Sequence, residues 1–220
     1  MKRTKLRDRV LPTYCRGEEI MNMVTHIVGG GLALLGGILL LWKASGAAQV
    51  LGTVIYVVAM VGVYTMSSIY HGLKVGTGKR VMQVIDHCAI YFLIAGTYTP
   101  IMISAFLPVF PAIGWGLLIL QWVLTALAVT LTAIDLKKYK VFSMICYIAM
   151  GWSIIFFIPQ TRQLLTAPGF AWLLAGGIAY TVGAVLFGIG KKLPWMHAVF
   201  HIFVILGSAF QYIAIFFYVY

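Results

Sequence analysis

Apolar runs long enough to cross a bilayer follow one another from about residue 20 to the end of the chain, and only short polar stretches interrupt them. A transmembrane helix needs roughly 20 apolar residues. The runs predict helices over 20–43, 50–72, 81–105, 112–133, 139–159, 170–190 and 195–219. Seven such helices use most of the 220 residues and leave no room for a soluble domain. Only 10% of residues are charged, against about 25% in a soluble domain. The expected fold is therefore all-α, a single polytopic membrane domain over 1–220 built as a seven-transmembrane-helix bundle. Residues 1–18 form a basic tail ahead of it. The first apolar run lacks a small-residue cleavage site after it and is expected to stay as an anchor.

Proline and glycine punctuate the runs. Pro108 and Pro111 separate the third and fourth helices, Pro159 ends the fifth, Pro168-Gly169 precedes the sixth, and Pro194 opens the seventh. Pro100 falls inside the third helix, where a kink is expected. Gly29, Gly30, Gly31, Gly36 and Gly37 give the first helix a small surface for close packing, and Gly176, Gly177 and Gly183 do the same for the sixth. Cys15, Cys88 and Cys146 are scattered and odd in number, and they form neither a disulfide framework nor a CxxC metal motif.

The net charge of +11 is a topology signal rather than a nucleic-acid surface, because the basic residues lie between the apolar runs. Lys2, Arg3, Lys5, Arg7, Arg9 and Arg16 precede the first helix. Lys74, Lys79 and Arg80 follow the second, Lys137, Lys138 and Lys140 the fourth, and Lys191 and Lys192 the sixth. Only Lys43 and Arg162 fall on the other side. Positive loops mark the cytoplasm. The N-terminus is thus expected inside and the C-terminus outside, the reverse of the G-protein-coupled receptor arrangement.

With that orientation, the polar residues gather in one layer. Ser67 and His71 lie near the cytoplasmic end of helix two, and Asp86 and His87 near the start of helix three. Glu19, Asn22 and His26 begin helix one, and His197 and His201 begin helix seven. Ionisable groups at membrane depth are costly and usually functional. His197 and His201 are four residues apart and share a face, so they can hold one ion. A zinc hydrolase site has three protein ligands and an open position, and His71 supplies the third. The residues between the two histidines are Ala198, Val199 and Phe200, so the base of an HExxH motif is missing. Asp86 is the carboxylate placed to take a proton or orient water, and Ser67 is placed to donate to a developing oxyanion. Imidazoles suit zinc, although iron, copper or nickel accept them too.

His87 points about 100° away from Asp86 and is expected at the interface or behind the ligands rather than on the metal. Glu19, Asn22 and His26 share a face and suit a hydrogen-bonded support for the ligands. Glu18 is expected to be a solvated cap. Thr97 and Ser208 continue the polar faces of helices three and seven. They either line a cavity reaching away from the metal or bond to their own helix backbone.

These residues resemble the progestin and adipoQ receptor (PAQR) family, and more closely its bacterial hemolysin III branch. The matching pieces are Glu19-x-x-Asn22-x-x-Thr25-His26, Ser67-x-x-x-His71, Asp86-His87 with the stretch Ile90 to Pro100, and His197-x-x-x-His201. They span almost the whole chain in the family's order. The resemblance implies a seven-helix bundle with zinc near the cytoplasmic face. It implies His71, His197 and His201 as ligands, Asp86 reaching the metal through water, and Ser67 beside it. The large N-terminal domain of the animal receptors is missing, so hormone binding is not implied.

Animal members of the family resemble alkaline ceramidases, which implies hydrolysis of a lipid amide. Bacteria mostly lack sphingolipids, so the expected substrate is another acyl lipid, and the expected role is in lipid and fluidity homeostasis of the bacterial plasma (inner) membrane. The expected partners are membrane lipids, with a fatty acid or acyl lipid inside the bundle, and no nucleic acid. Two rival readings are a non-enzymatic membrane sensor with structural zinc and a pore-forming cytolysin (a hemolysin). The latter lacks a charged pore-lining ring.

Overall fold

The computed structural model describes residues 4–189 and 193–220. Lys2, Arg3, Lys191 and Lys192 of the charge pattern, and Gly190 of the expected sixth helix, lie outside the described residues. The described residues form helices and no strand. They are α1 (Arg16–Lys43), α2 (Ala47–Gly72), α3 (Thr77–Ile101), α4 (Pro111–Ile134), α5 (Lys140–Trp152), α6 (Ile158–Ile189) and α7 (Met196–Tyr218). Six stretches are long and apolar enough to cross a membrane, the longest running from Lys140 to Gly188.

The surface identifies the solvent. Leu35, Ile38, Val58 and Phe217 are 56%, 65%, 66% and 62% exposed, while Thr53, Gln121, Thr125 and Thr132 are buried. An apolar belt of this kind around polar interior residues belongs in hydrocarbon. The protein is an all-α polytopic membrane protein.

α1 starts four residues earlier than its apolar run. Cys15 caps it: the Glu18 N–H donates to Cys15 Sγ at 3.4 Å, and the Cys15 N–H donates to Glu18 Oε2 at 2.9 Å. This is a capping box with a thiol where Ser or Thr is usual. Glu18 also accepts from the Trp195 N–H at 2.6 Å and is 7% exposed, so it is a buried cap and not a solvated one. The buried face of α1 runs through Glu18, Asn22, His26, Gly29, Ala33, Gly37 and Leu40. That three- and four-residue spacing is a single packing seam. A β-carbon on Gly37 would lie 2.7 Å from Val57, so this glycine lets α2 approach closely.

α3 carries Pro100 within it and widens into a π-turn over Met102–Phe106 before ending at Val109. The missing proline N–H and the π-turn together loosen the helical register.

The stretch from Lys140 to Gly188 departs from expectation. α5 stops at Trp152, a 3-10 turn covers Ser153–Phe157, and helix resumes at Ile158, so Pro159 opens a helix instead of ending one. The break falls at Thr166, whose φ of 61° and ψ of 171° are not helical. Positive φ is costly for a β-branched residue, and it turns the chain back on itself. The Trp152 indole N–H donates to Thr181 Oγ1 at 3.0 Å, whereas a straight helix would separate them by about 44 Å. Pro168 then falls in the first turn after the break.

α1 and α7 run side by side and parallel. The Glu18–Trp195 bond joins their first ends, and Lys43 Nζ donates to the Phe216 carbonyl at the other.

Candidate metal centre

Two helices bring three imidazoles to one point. His71 ends α2, and His197 and His201 occupy the first turns of α7. All three are buried, and their ligating nitrogens lie within 4.8 Å of one another. His197 Nε2 is 3.3 Å from His71 Nε2 and 3.2 Å from His201 Nε2. Tetrahedral zinc with Zn–N near 2.0–2.1 Å places its ligand nitrogens about 3.3 Å apart.

The protons of these rings support the same reading. His71 Nδ1 donates to Glu19 Oε2 at 2.7 Å, and His201 Nδ1 donates to the Asn22 carbonyl at 3.1 Å. A neutral imidazole carries one N–H, so both rings turn a bare Nε2 lone pair toward His197. His197 Nε2 has at most one proton and cannot satisfy both. A cation at the centre of the triangle resolves that conflict. The cluster can hold a metal ion.

Around the triangle the structure distributes the remaining residues. Glu19 also accepts from Lys79 Nζ at 2.6 Å, forming a chain from His71 through Glu19 to a lysine that is 3% exposed. The Asn22 side-chain amide lies 3.4 Å from His71 Nδ1. His26 behaves differently from its two neighbours. Its ring stacks on His201, with centroids 3.8 Å apart and planes 11° apart, and neither ring nitrogen has a hydrogen-bond partner. One helical turn beyond Asn22, it sits face-on to the ligand ring instead of in line with a ring nitrogen.

Asp86 is not one of the clustered ligands. The buried Ser67 hydroxyl lies near its carboxylate. His87 Nδ1 donates to the Gln83 carbonyl at 2.8 Å, its ring meets Phe187, and it is not one of the clustered ligands. Ser208 accepts from the Tyr64 hydroxyl and meets that of Tyr180, each at 2.7 Å. Thr97 donates to the Leu93 carbonyl at 2.7 Å and lines a cavity of about 40 Å³ that none of the five histidines borders. Ligand pockets are roughly 300 Å³ or more, so that cavity is too small for an acyl chain.

Two neighbours carried no spacing signal. Tyr14, just before α1, stacks on His197 with centroids 5.0 Å apart. Burial pushes its phenol above the ordinary range, and Glu19, Asp86 and Glu18 push it the same way, so the ring is neutral. Lys79 reads in the sequence as a topology charge, yet it is the buried partner of Glu19.

The family model for haemolysin-III related proteins matches residues 15–212. The chain is 38% identical to Hemolysin-3 of Bacillus cereus over 205 residues, covering 92% of each chain. It is 34% identical to a Hemolysin-3 homolog of Bacillus subtilis (strain 168), covering 91% of this chain and 94% of that one. The human monocyte to macrophage differentiation factor is 26% identical over 211 residues, covering 92% of this chain and 85% of its own length. By a match that runs from the cap of α1 into α7, through every residue of the histidine triangle, the chain belongs to the haemolysin-III related family.

Proposed function

We propose that this protein is a zinc-dependent hydrolase of an acyl lipid, acting in the bacterial plasma membrane and serving lipid homeostasis there. The observation that carries the reading is the triangle of bare imidazole nitrogens with the Ser67–Asp86 pair nearby. His71, His197 and His201 hold the ion, while Glu19 and Asn22 fix two of the rings by their Nδ1 protons. Zinc supplies a Lewis acid and a water of lowered pKa when bound. Asp86 accepts the proton of the attacking water, and the Ser67 hydroxyl beside it donates to the developing oxyanion. Tyr14 and Phe187 pack against His197 and keep bulk water off it.

The topology that goes with this reading has seven passes. The parallel pairing of α1 with α7 calls for an odd number, and the fold-back at Thr166 lets the longest apolar stretch cross twice. The basic segments support an N-terminus inside and a metal layer near the cytoplasmic face.

The test is elemental analysis of purified protein, followed by fatty-acid release from a native lipid extract. About one zinc per chain and release that stops in Asp86→Asn support the reading. No release by the zinc-loaded protein rules out catalysis and leaves zinc as a structural element of a membrane sensor. The Hemolysin-3 name of two relatives supports a second reading, membrane lysis. Liposome leakage that survives in His71→Ala would favour it.

A further inference from the structure

The segment before α1 lies across the end of the bundle that carries the histidines. The Thr4 N–H donates to Asp135 Oδ2 at 2.7 Å, and Arg80 Nε donates to the Arg9 carbonyl at 3.1 Å. A cleft of about 470 Å³ opens beside this segment, and Arg7, Arg9, Arg80, Tyr14, Glu19 and Val75 are among its walls.

The charges of the cleft do not balance. Glu19 is already committed to His71 and Lys79. Asp8 lies 3.7 Å from Arg7 Nε. Arg9 and Arg80 have no carboxylate partner among the described residues. Arg9 is the decisive group. It is 7% exposed, and its Nε and Nη1 are buried with no hydrogen-bond partner. An unpaired buried guanidinium is costly, and its planar fork matches a phosphate or carboxylate. Next to it are two apolar side chains held in the open, Val10 at 90% and Val75 at 79% exposure. A site with an unsatisfied cation inside and bare hydrocarbon at its rim fits an anion that carries an apolar tail.

We propose that the cleft binds the phosphate of an anionic membrane lipid headgroup, with Arg9 and Arg80 as its ligands. Anionic lipids line the cytoplasmic leaflet and attract basic segments at its surface. The site shares Tyr14 and Glu19 with the surroundings of the metal, but it does not depend on hydrolysis. A headgroup held there is held whether or not the histidine triangle turns anything over.

Calorimetric titration of the full chain in a zwitterionic detergent tests this. The three probes are dihexanoyl phosphatidylglycerol, dihexanoyl phosphatidylcholine and inorganic phosphate. The expected result is phosphatidylglycerol binding at least ten times more tightly than either of the others. Arg9→Gln and Arg80→Gln should each weaken it ten-fold or more, and Arg162→Gln should leave it unchanged. Equal affinity for the two lipids overturns the proposal. Inorganic phosphate binding as tightly as phosphatidylglycerol reassigns the cleft to a free anion and overturns it too. If Arg9→Gln does not fold, the half-buried Arg80 decides, and unchanged affinity in Arg80→Gln is the overturning result. Binding should persist after zinc is chelated, so failure of the hydrolytic reading and failure of this one are separate results.

Discussion

Glu19 accepts a hydrogen bond from His71 at 2.7 Å and so decides which nitrogen of that ring is free. Its other oxygen meets Lys79 at 2.6 Å, which keeps the carboxylate charged and in place. Partners of this kind tune metal affinity by about 10–100-fold. Glu19→Gln keeps an acceptor near His71 but loses the charge and the lysine pairing. The expected outcome is a ten-fold or greater loss of zinc affinity in competition with a chromophoric chelator, with the helical circular dichroism unchanged. Wild-type affinity in this variant would mean that Glu19 serves only to bury Lys79.

Asp86 and the three histidines should separate in their effects. His71→Ala and His197→Ala each leave two imidazoles, and both should lose the metal. Asp86→Asn removes a proton acceptor that is not among the clustered ligands, so zinc should remain at wild-type stoichiometry. Any hydrolysis should fall by about 10²–10⁴-fold, the usual contribution of general acid–base catalysis. Ser67→Ala should act in the same direction and more weakly, because it removes the hydroxyl near that carboxylate. Loss of zinc in Asp86→Asn would make Asp86 a ligand instead.

What the sequence conveys here, and what it conceals, follows from the physics of each residue. The convergence of His71, His197 and His201 is legible because a four-residue spacing fixes two rings on one face, and charge asymmetry puts the ends of α2 and α7 on one side. Glu19 and Asn22 follow from the same helical arithmetic. His26 lies on that face too, but periodicity gives direction and not contact type, so its stacking on His201 is invisible beforehand. The start of α1 is missed because a thiol is a rare cap. The turn falls in the gap expected between 159 and 170, but its place at Thr166 is not legible, because no residue type advertises a positive φ at threonine. Tyr14 and Lys79 are missed because one lies outside any periodic segment and the other reads as a loop charge.

Gly37 and Gly31 lie on the same helix and should respond oppositely to alanine. A β-carbon at Gly37 would sit 2.7 Å from Val57, whereas at Gly31 nothing lies within 4 Å. Forcing α1 and α2 apart is an overpacking defect, worth about 1–3 kcal/mol. Gly31→Ala meets open space and gains helix propensity, up to about 1 kcal/mol. Thermal unfolding of the two variants in one detergent should move the midpoint down for Gly37→Ala, and leave or raise it for Gly31→Ala. Equal shifts would mean that α2 yields at Val57 without cost.

Asp135 ties the segment before α1 to the turn between α4 and α5, and its titration sets the pH at which that tie fails. The carboxylate accepts from the backbone N–H groups of Thr4 at 2.7 Å and of Lys137 and Lys138 at 3.1 Å each. These donors, the Thr4 amide foremost, hold its carboxyl below the usual aspartate range. A group depressed in the folded state stabilises above its unfolded value, about 3.9, and that stabilisation is lost as pH falls through the lower folded value. Hydrogen exchange of residues 4–14, corrected for intrinsic rate, should therefore be level from neutral pH down to about pH 4 and then lose protection. Asp135→Asn lacks the charge at every pH. It should exchange about ten- to hundred-fold faster at neutral pH, the scale of one charge-assisted bond, with no acid step from this position. An acid step that persists in Asp135→Asn would place the titrating group elsewhere, and wild-type exchange at neutral pH would show that the other contacts of the segment, such as Arg80 with the Arg9 carbonyl, hold it alone.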